Sequence, residues 1–526
     1  MDQLVLLLAL MFGALIAVPL GDRLGLPSPI LVTVLGVVLA ALPFVPDVSL
    51  NPDYILPLVL PPLLYAAVQR TSWRQFATHW KPIVLLAVAL VFATAAAVAA
   101  VAHAIVPGMT IAAAVALGAL VAPPDPVAVS AVAGSLNLPR RMVSILEGEG
   151  LFNDVTAIVL YNIAIAAAVS GQYSRGTAVR DFALSAVVAL AVGVAIGWFG
   201  SRMMRLLNDA TLRVGMSLLV PFASYAVADH YSGSGVLAVL VTALYLAESG
   251  ADADDIEGRL TGAAFWQVID TLVTGVAFGL VGLELINVFG TAAENLGQML
   301  GWGLAITGVV IGVRLAWLLP AAWLARHTRW DAEAEIPGSV RETVVMWWAG
   351  MRGVASVALA LAIPFQVDSG APFPDREVII FIAFTVIMTT LVLQGMTLPW
   401  LIRILGVGAD TAIERELEHE LAHAASTAAR ERLELLAERE DVPDEVLDRL
   451  MRRTVDLGMR ISPDLADEER REAAAQRLER LAAFRRIQAE MMSAARGAVL
   501  AKRNQPGVDP EVVDRVLHQL DVRSPR

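Results

Sequence analysis

The sequence predicts an all-α polytopic membrane protein. It has about 13 transmembrane helices, with inverted-topology repeats and crossed discontinuous helices, followed by a soluble helical C-terminal tail. Three observations predict this. Hydrophobic residues make up 57% of the 526 residues and charged residues only 17%, where an ordinary soluble domain is about 45–50% apolar and about 25% charged. The charge is also unevenly spread: 44 of the 116 residues in 411–526 are charged, against 46 of the 410 before them. Finally, the first 410 residues fall into apolar runs, and a helix crossing a bilayer needs about 20 such residues. The seam separates a membrane domain, 1–405, from a tail, 411–526.

The runs lie at about 3–20, 29–45, 54–69, 82–104, 110–133, 142–169, 182–200, 214–228, 235–247, 262–289, 298–325, 343–364 and 377–402. The first has no basic stretch before it and no small-residue cleavage site, so it is expected to stay as a helix. Lys and Arg sort the loops: thirteen lie in odd-numbered loops (Arg70, Arg140 and Arg205 among them) and three in even-numbered ones, Arg175, Arg180 and Arg376. Basic residues gather on the cytoplasmic side. The N-terminus is therefore expected outside and the tail in the cytoplasm of a multi-pass plasma-membrane protein.

Bulk composition removes several function classes. A net charge of −12 offers no basic surface for nucleic acid. With no cysteine, disulfides, thiolate metal sites and cysteine nucleophiles are excluded. The spans hold no Ser/His constellation and no His pair at metal-ligand spacing, so neither an enzyme nor a bound cofactor is expected.

Inside the spans, charge needs a reason, because each Arg or Asp at bilayer depth costs about 2.5–3.5 kcal/mol on insertion scales. Two bases, Arg314 and Arg352, and six acids, Asp125, Glu147, Glu149, Asp154, Asp270 and Glu284, fall there. The acid surplus implies bound cations or protons. Asp270 and Glu284 could equally sit at interfaces.

The acids cluster in two places. In Ala122-Pro123-Pro124-Asp125-Pro126-Val127-Ala128-Val129, three prolines in four residues cannot continue a helix, since each lacks an N–H and clashes one turn back. Irregular backbone at that depth is tolerated where it is buried in protein or lines a cavity, and it frees carbonyls for an ion. The second cluster, Glu147-Gly148-Glu149-Gly150-Leu151-Phe152-Asn153-Asp154, opens the sixth run. On a helix, Glu147 and Asp154 share a face but stand about 10.5 Å apart along the axis. No two acids of this helix can then hold one small ion together, and the Pro-Pro-Asp-Pro segment is the expected supplier of further ligands. A third element, Trp347-Trp348-Ala349-Gly350-Met351-Arg352-Gly353-Val354-Ala355-Ser356, places glycines around an intramembrane Arg. Its spacing from the proline-broken run fits an inverted repeat of interrupted helices.

Together these segments resemble the monovalent cation:proton antiporter family of NhaP-type and NHE-type sodium/proton exchangers, whose pattern reads roughly A-P-T-D-P-V-A-V, E-G-E-S-L-x-N-D-x-x-A and G-G-x-R-G-x-x-S/P-x-A-L-A. Gly279–Leu285 and Arg314 with Trp317 resemble two further elements. The resemblance implies a thirteen-span fold with a six-helix core and a dimerisation domain, a homodimer, and alternating access. It implies that Asp154 binds either the monovalent cation or a proton, with Asn153 beside it. It makes Asp125 and the carbonyl of Pro124 members of the same network, and pairs Glu149 with the membrane arginine, expected to be Arg352. The chain departs from the pattern at Pro124, where the family has Thr, and at Gly150, where it has Ser. Both losses remove hydroxyls at cation-ligand positions.

The expected activity is exchange of a monovalent cation, Na⁺ first and K⁺ or a mixed set as the alternative, for H⁺. One carboxylate serving both ions makes it electroneutral, for pH and sodium homeostasis. The competing classes are an ion channel and a membrane-anchored sensor using the tail. The tail itself reads as several solvated helices, with Leu433, Leu436, Leu447 and Leu450 forming an apolar pattern broken near Pro443, and it shows no nucleotide or calcium loop.

Overall fold

A computed structural model describes residues 2–42, 51–70, 80–125, 138–170, 175–249, 256–291, 295–327, 339–408, 411–439, 443–461, 486–488 and 490–502, with short pieces between 512 and 519. Pro126 to Val129 of the proline motif and the loop residues Arg74 and Arg329 lie outside the described residues. The chain divides into two compact units, Met1–Ala409 and Asp410–Arg526.

The first unit is built of helices, and among the described residues there is no strand, only an isolated bridge between Gln366 and Pro372. In chain order they are α1 (Asp2–Leu24), α2 (Ser28–Ala40), α3 (Ile55–Arg70), α4 (Trp80–Ile105), α5 (Ile111–Val121), α6 (Arg140–Ser170) and α7 (Arg175–Leu206). Then come α8 (Ala210–His230), α9 (Gly235–Ser249), α10 (Ile256–Thr291), α11 (Leu296–His327), α12 (Val340–Trp348), α13 (Val354–Leu361) and α14 (Arg376–Leu405). Every predicted run carries a helix, and the twelfth carries two, α12 and α13, separated by an irregular stretch. Among the described residues, eight helices are long and apolar enough to cross a membrane, while α2, α5 and α9 are shorter apolar helices.

Local chemistry explains several boundaries. The Thr110 hydroxyl accepts from the N–H of Ala113 at 3.2 Å to start α5, Asp209 accepts from Thr211 and Leu212 to start α8, and Ser339 accepts from Glu342 to start α12. These caps satisfy N–H groups that a first turn leaves open. Pro123 and Pro124 follow the end of α5 and supply no N–H to extend it. Gly406, at φ +62°, closes α14 in the left-handed conformation.

Packing follows membrane rules, in which small residues let backbones approach closely. Gly36 of α2 meets Gly279 and Gly282 of α10 so closely that a Cβ there would overlap the carbonyl of Gly279. The helix α14 is the innermost long helix, with 67% of its apolar window buried. Large apolar side chains such as Phe12, Val187 and Trp198 are exposed on the outside, which suits a hydrocarbon surround. In the second unit, α15 (Thr411–Ala437) packs with α16 (Asp444–Ile461), and an Arg430–Glu434 pair at 2.9 Å lies one turn apart on α15.

Candidate functional site

The two helix breaks meet. The N–H of Asp125, just past α5, donates to the carbonyl of Met351, just past α12, at 2.7 Å. Each break then supplies what the other lacks. The C-terminal carbonyls of α5 have no partner within their own helix, and Arg352 donates to two of the adjacent carbonyls, from Nε to Val121 at 2.9 Å and from its terminal nitrogen to Ala122 at 3.1 Å. Another guanidinium nitrogen donates to the carbonyl of Gly350. In the other direction, the carboxylate of Asp125 faces the N-terminus of α13 and accepts from the N–H of Val354 at 3.4 Å. A negative group there complements the helix dipole, as the cation does at the end of α5. Gly353 makes this possible, because a Cβ on it would overlap the Asp125 carboxylate.

Beside the crossing lies a cavity of about 50 Å³, room for a few water-sized particles. Its polar lining comes from Asp125, from Asp154 of α6 and from Ser356 of α13, with Leu60 and Leu64 of α3 forming an apolar wall. Asp154 is partly accessible, and no hydrogen bond or ion pair reaches it among the described residues. One residue earlier, Asn153 is fully buried and donates through Nδ2 to the carbonyl of Pro124 at 3.0 Å. That bond ties α6 to the break after α5, and among the described residues Oδ1 of Asn153 has no partner.

The remaining acids are organised differently from the expectation. Glu149 pairs with Arg314 and not with Arg352: both carboxylate oxygens are held, at 2.5 and 2.9 Å. The physical reason is that Arg352 is engaged by free helix-end carbonyls, which leaves α11's arginine to reach the carboxylate. Arg352 stays in the same neighbourhood, since Gly350 lies against both guanidinium groups. The Pro124 carbonyl accepts from Asn153, which leaves it one further lone pair. Glu147 is half-buried on α6 and Asp270 is buried on α10, and neither lines the cavity. Glu284 pairs with Arg376 at 2.9 Å.

The sequence reading missed the role of Arg314 and the presence of Ser356 in the cavity. For Arg314 no signal in the spacing chooses between two buried arginines. For Ser356 the hint was a lone hydroxyl in an otherwise apolar half-helix, four residues after Arg352.

The family model of the transmembrane sodium/hydrogen exchanger matches residues 7–404. The chain belongs to the sodium/hydrogen exchanger family. The exchanger is 34% identical to an uncharacterized Na⁺/H⁺ exchanger of Mycobacterium tuberculosis H37Rv, over 99% of this chain and 95% of that one. It is 31% identical to the sodium, potassium, lithium and rubidium/H⁺ antiporter of Bacillus subtilis 168, over 71% of this chain and 57% of that one. Its fold matches the sodium proton antiporter MjNhaP1 of Methanocaldococcus jannaschii with a TM-score of 0.61 at 20% identity, covering 77% of this chain and all of that one. It is thus a multi-pass membrane cation/proton antiporter, a transporter and not an enzyme.

Proposed function

We propose that the exchanger swaps one Na⁺ for one H⁺ at Asp154, with no net charge crossing the membrane. The observation that carries this reading is the contrast between two neighbouring carboxylates on α6. Glu149 is held at both oxygens by a two-pronged arginine. Asp154 lines the cavity with no base in contact among the described residues. A carboxylate so placed is neutralised either by a proton or by a monovalent cation, and the two compete for it. One carboxylate exchanging one charge for another gives a one-to-one stoichiometry. Asn153 is the neighbouring ligand, through its unpartnered Oδ1, and Asp125 and Pro124 hold the crossing in register.

The loop charges support an N-terminus outside and a cytoplasmic tail, and the family resemblance supports a homodimer working by alternating access in the plasma membrane, serving pH and sodium homeostasis. A K⁺ or mixed-cation reading has its own support: Pro124 and Gly150 stand where hydroxyl ligands are expected, and the Bacillus subtilis relative is named for four alkali cations.

The test is cation-driven proton movement in proteoliposomes carrying a trapped pH dye. The wild-type chain is expected to respond saturably to Na⁺, independently of membrane voltage, and Asp154→Asn to lose the response. Exchange at the wild-type rate in Asp154→Asn defeats the assignment. A voltage-dependent rate defeats electroneutrality, and a non-saturating conductance favours a channel.

A further inference from the structure

Pro124 and Gly150 line the cavity without a hydroxyl, and Ser356 brings one from another wall. Ser356 lines the cavity, is 1% exposed, and its Oγ makes no hydrogen bond among the described residues. The buried hydroxyl of Tyr161 on α6 is likewise without a partner among the described residues, but it does not line the cavity. Thr156, Thr307, Thr385 and Thr390 each donate back to the carbonyl four residues earlier, at 2.8–3.1 Å. Ser356 stands in the first turn of α13, so the residue four back, Arg352, lies outside the helix and offers no such bond. A buried polar group left unpaired is costly, so a ligand in the cavity is the natural partner.

We infer that Ser356 is a specificity-determining residue, giving its hydroxyl oxygen to the exchanged cation from the first turn of α13, opposite Asp154. The inference rests on the exchange reading at Asp154. A hydroxyl is a neutral oxygen ligand, so it adds to the coordination shell without changing the charge balance of one carboxylate per monovalent ion. It also rotates freely between donating and accepting. It therefore offers a lone pair when the cation is bound and its proton to a carboxylate oxygen when the cation has left. Asp125 is held at the N-terminus of α13 by Val354, and the carbonyl of Pro124 is held by Asn153. Apart from Asp154, Ser356 is the polar side chain of the lining without a hydrogen-bond partner among the described residues.

The experiment uses the full chain in dye-loaded proteoliposomes, titrated with Li⁺, Na⁺ and K⁺ at fixed pH. Ser356→Ala is expected to raise the cation KM about tenfold, the equivalent of about 1.4 kcal/mol, with a smaller rise for K⁺. The effect should fall more on the KM than on the maximal rate at saturating cation. Ser356→Thr keeps a hydroxyl and should keep the wild-type KM. Ser356→Cys matches serine in size but offers a poor ligand to alkali ions, so it should behave as Ala does. Adding Gly150→Ser to Ser356→Ala should bring the KM back down. A wild-type KM for all three cations in Ser356→Ala, or in Ser356→Cys should the alanine variant not fold, overturns the inference. So does a shifted pH profile with unchanged KM, since that marks a hydroxyl serving only a carboxylate. A wild-type protein that moves no protons with any alkali cation defeats the exchange reading as well. Loss of the Asp154 assignment alone leaves the Ser356 comparison decisive.

Discussion

Arg314 holds both carboxylate oxygens of Glu149, at 2.5 and 2.9 Å, with the two side chains only 3% and 1% exposed. Nε of the same guanidinium donates to the carbonyl of Met346 at 3.1 Å, so one side chain of α11 ties α6 to α12. Paired carboxylate and guanidinium groups with parallel hydrogen bonds are among the stronger charge contacts. Removing one partner strands the other at depth, which typically costs about 3–5 kcal/mol.

Arg314→Gln and Glu149→Gln are each expected to lower the melting temperature in detergent sharply, and the double variant to lose much less than the sum. The same cycle run between Glu149 and Arg352 should show the smaller coupling, because Arg352 is held by the carbonyls of Val121 and Ala122. A larger coupling with Arg352 would return Glu149 to that partner.

The crossing of the two breaks depends on the absence of one side chain. A Cβ at Gly353 would overlap the carboxylate of Asp125. The φ of −142° there suits any residue, so the constraint is space and not backbone freedom. Gly353→Ala must displace Asp125 from the N-terminus of α13 and, with it, the wall of the cavity. The expected outcome is strongly reduced cation-driven proton movement from a protein that still elutes as wild type on size exclusion. Full activity in Gly353→Ala would mean that the carboxylate does not need this position.

The fold was legible because a bilayer forces it. Apolar runs long enough to span can only be helices, so each run carried one, and the three prolines and flanking glycines marked the two interruptions. The residues of the cavity were legible in the same way, as charges that lipid does not tolerate. What composition and spacing did not reveal was which charge meets which. Glu149 and Arg314 are separated by 165 residues, and choosing between Arg314 and Arg352 required knowing that the end of α5 presents open carbonyls to Arg352. Ser356 was legible only as a lone hydroxyl in an apolar half-helix; that it lines the cavity without a partner among the described residues needed the structure.

A second ion pair lies at the start of α14. Arg376 donates to Glu284 of α10 at 2.9 Å and to the carbonyl of Ile363 at 3.2 Å, and its guanidinium stacks over Phe365 at 4.5 Å. A lysine ammonium keeps the charge but cannot serve two acceptors and a ring face in one plane. Arg376→Lys is therefore expected to destabilise measurably, and Phe365→Leu to add little in that background, because the stacking is already gone. Additive losses in the double variant would show that the ring does not act through the guanidinium.

Asp375, immediately before α14, gives a pH-dependent test. It sits at φ +55°, in the left-handed region, and its side chain makes no cap hydrogen bond. Burial raises its carboxyl above the usual value of 3.8, so the folded chain binds this proton more tightly than the unfolded chain does. Stability from this group is then present below pH 3.8 and is lost as pH rises through the raised folded value. Asparagine tolerates the left-handed conformation and carries no charge to desolvate. Asp375→Asn should match wild type in melting temperature at acid pH and exceed it increasingly as the wild-type carboxyl ionises, reaching a constant advantage at neutral pH. The measurement is the difference between the two melting curves across that range, which cancels the titration of every other acid. An advantage that shrinks with rising pH would reverse the sign and show that the charged form of Asp375 is stabilised in the fold.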